Sequence, residues 1–207
     1  MVRKNVIEFK EKFFLNFKCV EDGDVLNGPI ILKLQHDNFY VFKMYIFEIF
    51  IPFDLKDNIP TVKLLRGIKK SSDGFNHFNN DGTLCLEVPF IQSIFLKNNN
   101  YSIIKWFERF VYSFLIQYEY YCDYGKMLFG DRAHFDEGLK SAIIEYLEVK
   151  EGYINVFFKT LIKCDNELLF PKVIKKWCSC SDERINEFIN SFGTLKKYIN
   201  YWRIINE

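Results

Sequence analysis

The segment from His77 to Leu86 reads HFNNDGTLCL, and it places one cysteine directly after a turn. Asn79 to Gly82 is a turn by composition, because asparagine and aspartate bond to their own backbone and glycine accepts a positive φ. Cys85 follows between two leucines. A cysteine held after a strand and a turn, with hydrogen-bonding groups on its approach, is a candidate nucleophile that forms a thioester. The alternative is a buried structural thiol, since free cysteine is among the most buried residue types.

Strand patterns precede this segment. Three stretches share a high content of Ile, Leu, Val and aromatic residues and are interpreted as strands: Pro29 to Gln35, Phe39 to Ile51 and Thr61 to Leu65. His36 to Asn38 predicts a hairpin turn between the first two, and Pro52 ends the second because proline lacks the donor that a ladder needs. Val6 to Lys18 fits either a short helix or an edge strand. The sequence therefore predicts a run of antiparallel strands ahead of the cysteine.

Helical spacing begins after Pro89. Tyr101 to Tyr121 repeats apolar residues at helical intervals, and Gly125 is the expected C-cap of this helix. Further helices are predicted over four later ranges: Phe135 to Leu147, Tyr153 to Cys164, Asp182 to Phe192 and Thr194 to Ile205. Strands first and helices after them is the pattern of an α+β fold rather than an alternating α/β fold.

Composition bounds the class of protein. The chain has 207 residues, of which 49% are hydrophobic, which suits one globular domain or one domain with a small appendage. Its 28 basic and 27 acidic residues nearly balance. The net charge therefore gives no reason to expect binding to nucleic acid or to an anionic membrane. The N-terminal stretch resembles neither a signal peptide nor a membrane span, and the six cysteines show no regular disulfide framework. We therefore expect reduced thiols and a cytoplasmic protein.

The sequence predicts neither a metal nor a cofactor. Cys178 and Cys180 form a Cys-x-Cys pair, but a zinc site normally needs four ligands and no Cys or His follows position 180. Cys122 and Cys164 lie upstream without metal-site spacing. The chain also has no phosphate-binding loop and no His-Glu-x-x-His helix. An activated acyl group would therefore have to come from another protein.

These features together resemble the ubiquitin-conjugating-enzyme (UBC) fold family in a bacterial form. The matching pieces are Phe47 to Pro52, Asn58-Ile59-Pro60, His77-Phe78-Asn79, Gly82 and Cys85-Leu86. Phe78 stands where the eukaryotic enzymes have proline, and the spacing to the cysteine is two residues shorter than theirs. The resemblance implies an antiparallel β-meander followed by C-terminal helices. It implies a UBC-like domain over residues 1–150 and a helical extension over 151–207, whose Cys-x-Cys pair resembles a degenerate zinc-type tail.

The resemblance also implies an activity and site residues. Cys85 would accept an acyl group as a thioester and pass it to an amine. Asn79 would donate its amide to the tetrahedral intermediate, with a turn cap as the alternative. His77 would organise the loop through a ring nitrogen bonded to a backbone carbonyl, with a general base as the alternative. Asp81 can orient an incoming lysine or simply serve the turn, and His134 can approach the site or simply begin a helix.

The resemblance implies partners too. Bacterial relatives occur in antiphage defence of the cyclic-oligonucleotide (CBASS) type, where they act on the C-terminus of a cyclic-oligonucleotide synthase. They also occur in ubiquitin-like conjugation cassettes with a separate activating enzyme. We therefore expect a protein partner with an activated C-terminus, and neither nucleic acid nor membrane. The rivals are a catalytically inactive UBC-fold binding module and a cysteine hydrolase, which would need a histidine close to Cys85.

Overall fold

A computed structural model describes residues 2–67, 74–75, 77–128, 135–163 and 170–191. The chain divides into two compact units. Unit 1 comprises Met1–Glu87 and Phe95–Asp131, and unit 2 comprises Val88–Ile94 and Arg132–Glu207. The boundary that the sequence predicted after residue 150 stays a prediction, and it does not coincide with the division between these units.

The strands of unit 1 form one antiparallel sheet in the order β1-β2-β3-β4. Their bounds are Asn16–Cys19 (β1), Gly23–His36 (β2), Phe39–Pro52 (β3) and Thr61–Arg66 (β4). The predicted hairpin turn after His36 is confirmed, and Asp37 takes a left-handed φ of 48° there. The predicted strands and their antiparallel order are confirmed, and with the helices they establish an α+β fold.

The ambiguous N-terminal stretch contains both of its alternatives in succession. Helix α1 covers Val2–Phe13, and the edge strand β1 begins three residues later. Phe14 adopts a left-handed φ of 54° between them, and the Leu15 amide bonds back to the Lys10 carbonyl. The stretch joins a helix, in which apolar residues recur about every 3.6 positions, to a strand, in which they recur at every second position. The sequence of the whole stretch therefore shows neither period clearly.

Helices follow the candidate cysteine. The described ones in this part of the chain are α2 (Pro89–Asn98), α3 (Ile103–Trp106) and α4 (Tyr112–Tyr124), and a π-helical turn, Phe107–Val111, joins the last two. The helix predicted from Tyr101 is thus confirmed in its position. Gly125 is its C-cap, with a φ of 66° and its amide bonded to the Tyr121 carbonyl. Helix α2 was not predicted from the sequence.

The core of unit 1 lies between one face of the sheet and helices α1 and α4. Its fully buried large side chains include Phe9, Tyr45, Phe47, Trp106, Phe107 and Tyr118. A polar group lies within this apolar core. The buried Glu119 carboxylate of α4 accepts a hydrogen bond of 2.6 Å from Lys43 Nζ and one of 3.0 Å from the Tyr45 hydroxyl. This network ties α4 to β3.

Unit 2 is built from helices around its own core. They are α5 (Phe135–Leu147), α6 (Ile154–Lys163), α7 (Phe170–Trp177) and α8 (Asp182–Asn190), together with the first part of α2. The predictions of α5, α6 and α8 are confirmed within a few residues, α7 was not predicted, and the helix predicted from Thr194 lies outside the described residues. Phe157, Ile174 and Phe188 centre the core. Among the described helices, none combines the length and the apolar character that crossing a bilayer requires.

Candidate active-site hairpin

The segment from His77 to Cys85 forms a small hairpin in unit 1. The Cys85 amide donates to the His77 carbonyl at 2.8 Å, and the Asn79 amide donates to the Thr83 carbonyl at 2.8 Å. This register pairs His77 with Cys85 and Asn79 with Thr83. Since residues two apart on a strand share a face, the four side chains project from the same face of the hairpin. The three predicted site residues therefore belong to one hairpin, with His77 directly opposite Cys85 and, on the same face, Asn79 one pair closer to the turn.

The residues between these pairs fix the hairpin to the core. Phe78 lies opposite Leu84 and packs edge-on against Phe114 of α4, with ring centroids 5.5 Å apart. Leu84 is buried, and its amide donates to the Val62 carbonyl of β4 at 2.8 Å. Thr83 also pairs with a β4 residue, Lys63. The hairpin thus extends the sheet beyond β4, and Phe78 packs one of its faces against α4.

The turn of the hairpin is closed by its own side chains. Gly82 has a φ of 81°, and its amide donates to the Asn79 carbonyl at 2.9 Å. One oxygen of Asp81 accepts from the Thr83 amide at 2.9 Å and from the Thr83 hydroxyl at 2.6 Å. These two hydrogen bonds, and more weakly the charge of Lys63, lower the pKa of the Asp81 carboxyl. Asp81 is therefore ionised at neutral pH and serves the turn.

Replacing Gly82 with alanine is expected to destabilise unit 1 by about 1–2 kcal/mol, because an L-residue is strained at this positive φ. A Cβ at this position meets no atom within 4 Å, so the cost comes from the backbone alone. Urea unfolding followed by circular dichroism measures it. Gly152→Ala is the matched control, since that position is equally open and has no left-handed φ. Equal effects of the two changes would contradict the prediction.

Asn79 is exposed, and its amide nitrogen donates to the Thr83 hydroxyl at 2.9 Å. The amide group has two N–H bonds, and this contact uses one. The other has no partner among the described residues. The turn-holding role is thus visible in the structure, and a second N–H is left to donate to an oxyanion, so the two roles are compatible.

Cys85 is half-buried. Its burial is intermediate between that expected for each of the two predicted alternatives, an accessible nucleophile and a buried structural thiol. Burial, and after it the negative charge of Glu87, raises the pKa of its thiol. The thiol is therefore protonated at neutral pH and must lose its proton as it attacks. Glu87 was not singled out in the sequence, although a carboxylate two residues from a cysteine is a signal that can be read there.

His77 contributes its backbone to the site. Its carbonyl accepts the Cys85 amide, and its ring lies 5.0 Å from the ring of Phe75, centroid to centroid. The predicted bond from a ring nitrogen to a backbone carbonyl stays a prediction. His36 ends β2 beside the hairpin turn, and His134 lies outside the described residues.

The remaining cysteine pair lies in unit 2. Cys178 is buried in the core of that unit, and burial followed by the proximity of Cys180 raises the pKa of its thiol to about 12. Within the described ranges, no group of three or more His, Cys, Asp or Glu side chains could hold a metal ion.

Comparison of the chain with protein-family models, with curated proteins and with solved structures finds no match in any of the three. Function is therefore inferred from the residues themselves. The register places the Cys85, Asn79 and Thr83 side chains on one face of the hairpin, Phe78 packs the opposite face against α4, and backbone pairing joins the edge of the hairpin to β4. Thr83 is a member of this group that the sequence analysis did not single out.

Proposed function

We propose that the chain is an acyl transferase of the ubiquitin-conjugating type, with Cys85 as the residue that carries the acyl group. The observation that supports this most directly is the hairpin register, which puts Cys85 and the Asn79 amide on one face. The order of elements agrees with the resemblance, since a strand meander comes first, the His-x-Asn element, glycine turn and cysteine follow, and helices come last. A UBC-like fold is part of this proposal.

The reaction has two steps. In the first, the Cys85 sulfur attacks the carbonyl carbon of an activated acyl group, the bond from that carbon to the activating group breaks, and the thiol proton departs with the activating group. In the second, an amine attacks the thioester carbon, the carbon–sulfur bond breaks, and the Cys85 sulfur regains a proton as the amide forms. Both steps pass through a tetrahedral oxyanion. The second N–H of Asn79 donates to the oxyanion that forms in the second step, when the amine attacks, and losing such a donor typically costs on the order of 3 kcal/mol of barrier.

The raised pKa of the Cys85 thiol supports a carrier over a hydrolase. A cysteine hydrolase needs a thiolate kept ready by a cationic neighbour, which lowers the thiol pKa. Here burial and Glu87 act in the opposite direction. A thiol of high pKa is also a poorer leaving group, which makes its thioester less reactive towards water and amines alike. Persistence of the acyl intermediate is what a transferase requires.

The partners proposed are those that the resemblance implies. The acyl group would be the C-terminus of a cyclic-oligonucleotide synthase or of a ubiquitin-like protein, activated elsewhere because the sequence has no phosphate-binding loop. The setting would be bacterial antiphage defence in the cytoplasm.

One observation favours a second candidate, a non-catalytic binding module. The face of the β2–β3 hairpin that points away from α4 exposes large apolar side chains, namely Ile31, Tyr40, Phe42 and Met44. A contiguous exposed apolar patch commonly marks a binding surface. A module would keep this surface and have no use for the Cys85 thiol.

A fluorescent peptide with a C-terminal glycine thioester tests the proposal. We expect a covalent adduct on non-reducing gels that thiol reductant removes, and that converts to an amide when a lysine peptide is added. Cys85→Ala should abolish the adduct, and Cys19→Ala, which removes an exposed thiol, should retain it. Absence of an adduct at Cys85 would favour the binding module. Steady release of the free acid without an amine would identify a hydrolase.

A further inference from the structure

We infer that Asp81, Thr83 and Asn79 form an amide relay, in which Thr83 is a positioning residue that fixes the Asn79 amide for the amine-transfer step. The inference rests on the proposed function of Cys85 and concerns its second step. It names a residue that bears no charge and is not a nucleophile.

The relay has a single consistent direction. Thr83 Oγ1 lies 2.6 Å from Asp81 Oδ1 and 2.9 Å from Asn79 Nδ2. An ionised carboxylate only accepts, so the hydroxyl proton must point to Asp81. The hydroxyl then has only lone pairs for Asn79, which must present its NH₂ group and not its carbonyl oxygen. Thr83 thus decides which end of the Asn79 amide faces the hairpin.

Thr83 itself cannot readily move. Its side chain is buried, and its amide donates to the same Asp81 oxygen that its hydroxyl uses. Its backbone pairs with Asn79 on one side and with Lys63 of β4 on the other. The sheet therefore holds the Thr83 hydroxyl in place. The hydrogen bond between this hydroxyl and Asn79 in turn fixes the exposed Asn79 side chain.

The relay also polarises the amide. A hydrogen bond from a hydroxyl to a carboxylate is short and strong, and it increases the electron density on the hydroxyl oxygen. That oxygen becomes a better acceptor for the first N–H of Asn79, and chained hydrogen bonds strengthen one another by roughly 10–30%. A held NH₂ group keeps its second N–H in a fixed direction. That N–H is the donor assigned to the oxyanion that forms when an amine attacks the Cys85 thioester.

Thr83→Val tests the relay, because valine keeps the shape of threonine and removes the hydroxyl. In single-turnover assays we expect loading of Cys85 with the glycine thioester peptide to stay within about twofold of wild type. Transfer from the loaded protein to a lysine peptide should fall about tenfold, a part of the 10²–10³-fold loss typical of a deleted oxyanion donor. The maximal transfer rate should fall, with the half-saturating lysine concentration unchanged. Thr83→Ser, which restores the hydroxyl, should return transfer to within about threefold of wild type.

A second variant covers the case in which Thr83→Val does not fold. Asp81→Asn keeps an oxygen for the Thr83 amide but removes the charge that orients the hydroxyl, and we expect a slower transfer with loading retained. The ¹⁵N-labelled side-chain NH₂ signal of Asn79 should shift in either variant and return in Thr83→Ser. Equal losses in loading and transfer would assign Thr83 a purely structural role and overturn the inference. Failure of the wild type to load at Cys85 would instead overturn the proposed function, and the inference with it.

Discussion

Alkylation of Cys85 by iodoacetamide is expected to accelerate about tenfold between about pH 7 and pH 8 and to rise further to about pH 9, without levelling off. Only the thiolate reacts, and burial and Glu87 raise the pKa of this thiol above its ordinary value. Below its pKa the thiolate fraction of a thiol grows tenfold per unit, so the whole interval lies on the rising part of the curve. Mass spectrometry of the Cys85 peptide after timed quenching measures the rate.

The contribution of Glu87 can be separated from that of burial. Glu87→Gln removes the negative charge and should increase the alkylation rate at fixed pH roughly twofold to fivefold, the effect of one nearby charge in a partly solvated site. Glu11→Gln changes an exposed carboxylate on α1 and should leave the rate unchanged. A plateau below about pH 8 would mean an activated thiolate with a lowered pKa. That result would contradict the proposed role of Cys85 as an acyl carrier and would favour a hydrolase.

The sheet was largely predictable because its strands are long and strongly patterned. Phe39–Pro52 has few polar residues, ends at a proline and pairs with β2 across a two-residue turn whose composition is diagnostic. Helix α2 was missed for the opposite reason. Its sequence, PFIQSIFLKN, is short and apolar on most sides, so it has no single polar face to reveal a helical period. Helix α7 is also short, at eight residues.

The turn and the cysteine of the candidate hairpin could be located from the sequence, but the arrangement of its side chains could not. The turn composition identified the position of the bend, and the apolar neighbours marked the cysteine. The pairing of His77 with Cys85 depends on how Gly82 closes the turn and on the contacts with β4 and α4, which local spacing does not encode. Thr83 was overlooked because its importance comes from two hydrogen bonds that exist only in this register.

Glu119→Ala is expected to lower the free energy of unfolding of unit 1 by about 3 kcal/mol, at the lower end of the range for breaking a buried ion pair. The change leaves two donors without their acceptor. Lys43 is 26% exposed and can partly rehydrate, whereas Tyr45 is fully buried. Burial and Glu119 raise the pKa of Tyr45, so its hydroxyl stays protonated and needs an acceptor at any pH near neutrality. Urea unfolding at neutral pH measures the loss.

The loss of stability in Glu119→Ala should arise because Lys43 and Tyr45 are left without a hydrogen-bond acceptor. The loss of the attraction between the charges of Lys43 and Glu119 should contribute less. The triple variant Lys43→Met, Tyr45→Phe, Glu119→Leu removes every polar group of the network at once, and it should be less destabilised than Glu119→Ala by about 2 kcal/mol. Glu108→Ala is the matched control, because Glu108 pairs with Lys12 at 2.8 Å with both side chains 42% exposed. An exposed pair of this kind contributes less than about 1 kcal/mol. If the triple variant were the least stable of the three, the network would be a net source of stability, and the ordering argued from desolvation would be wrong.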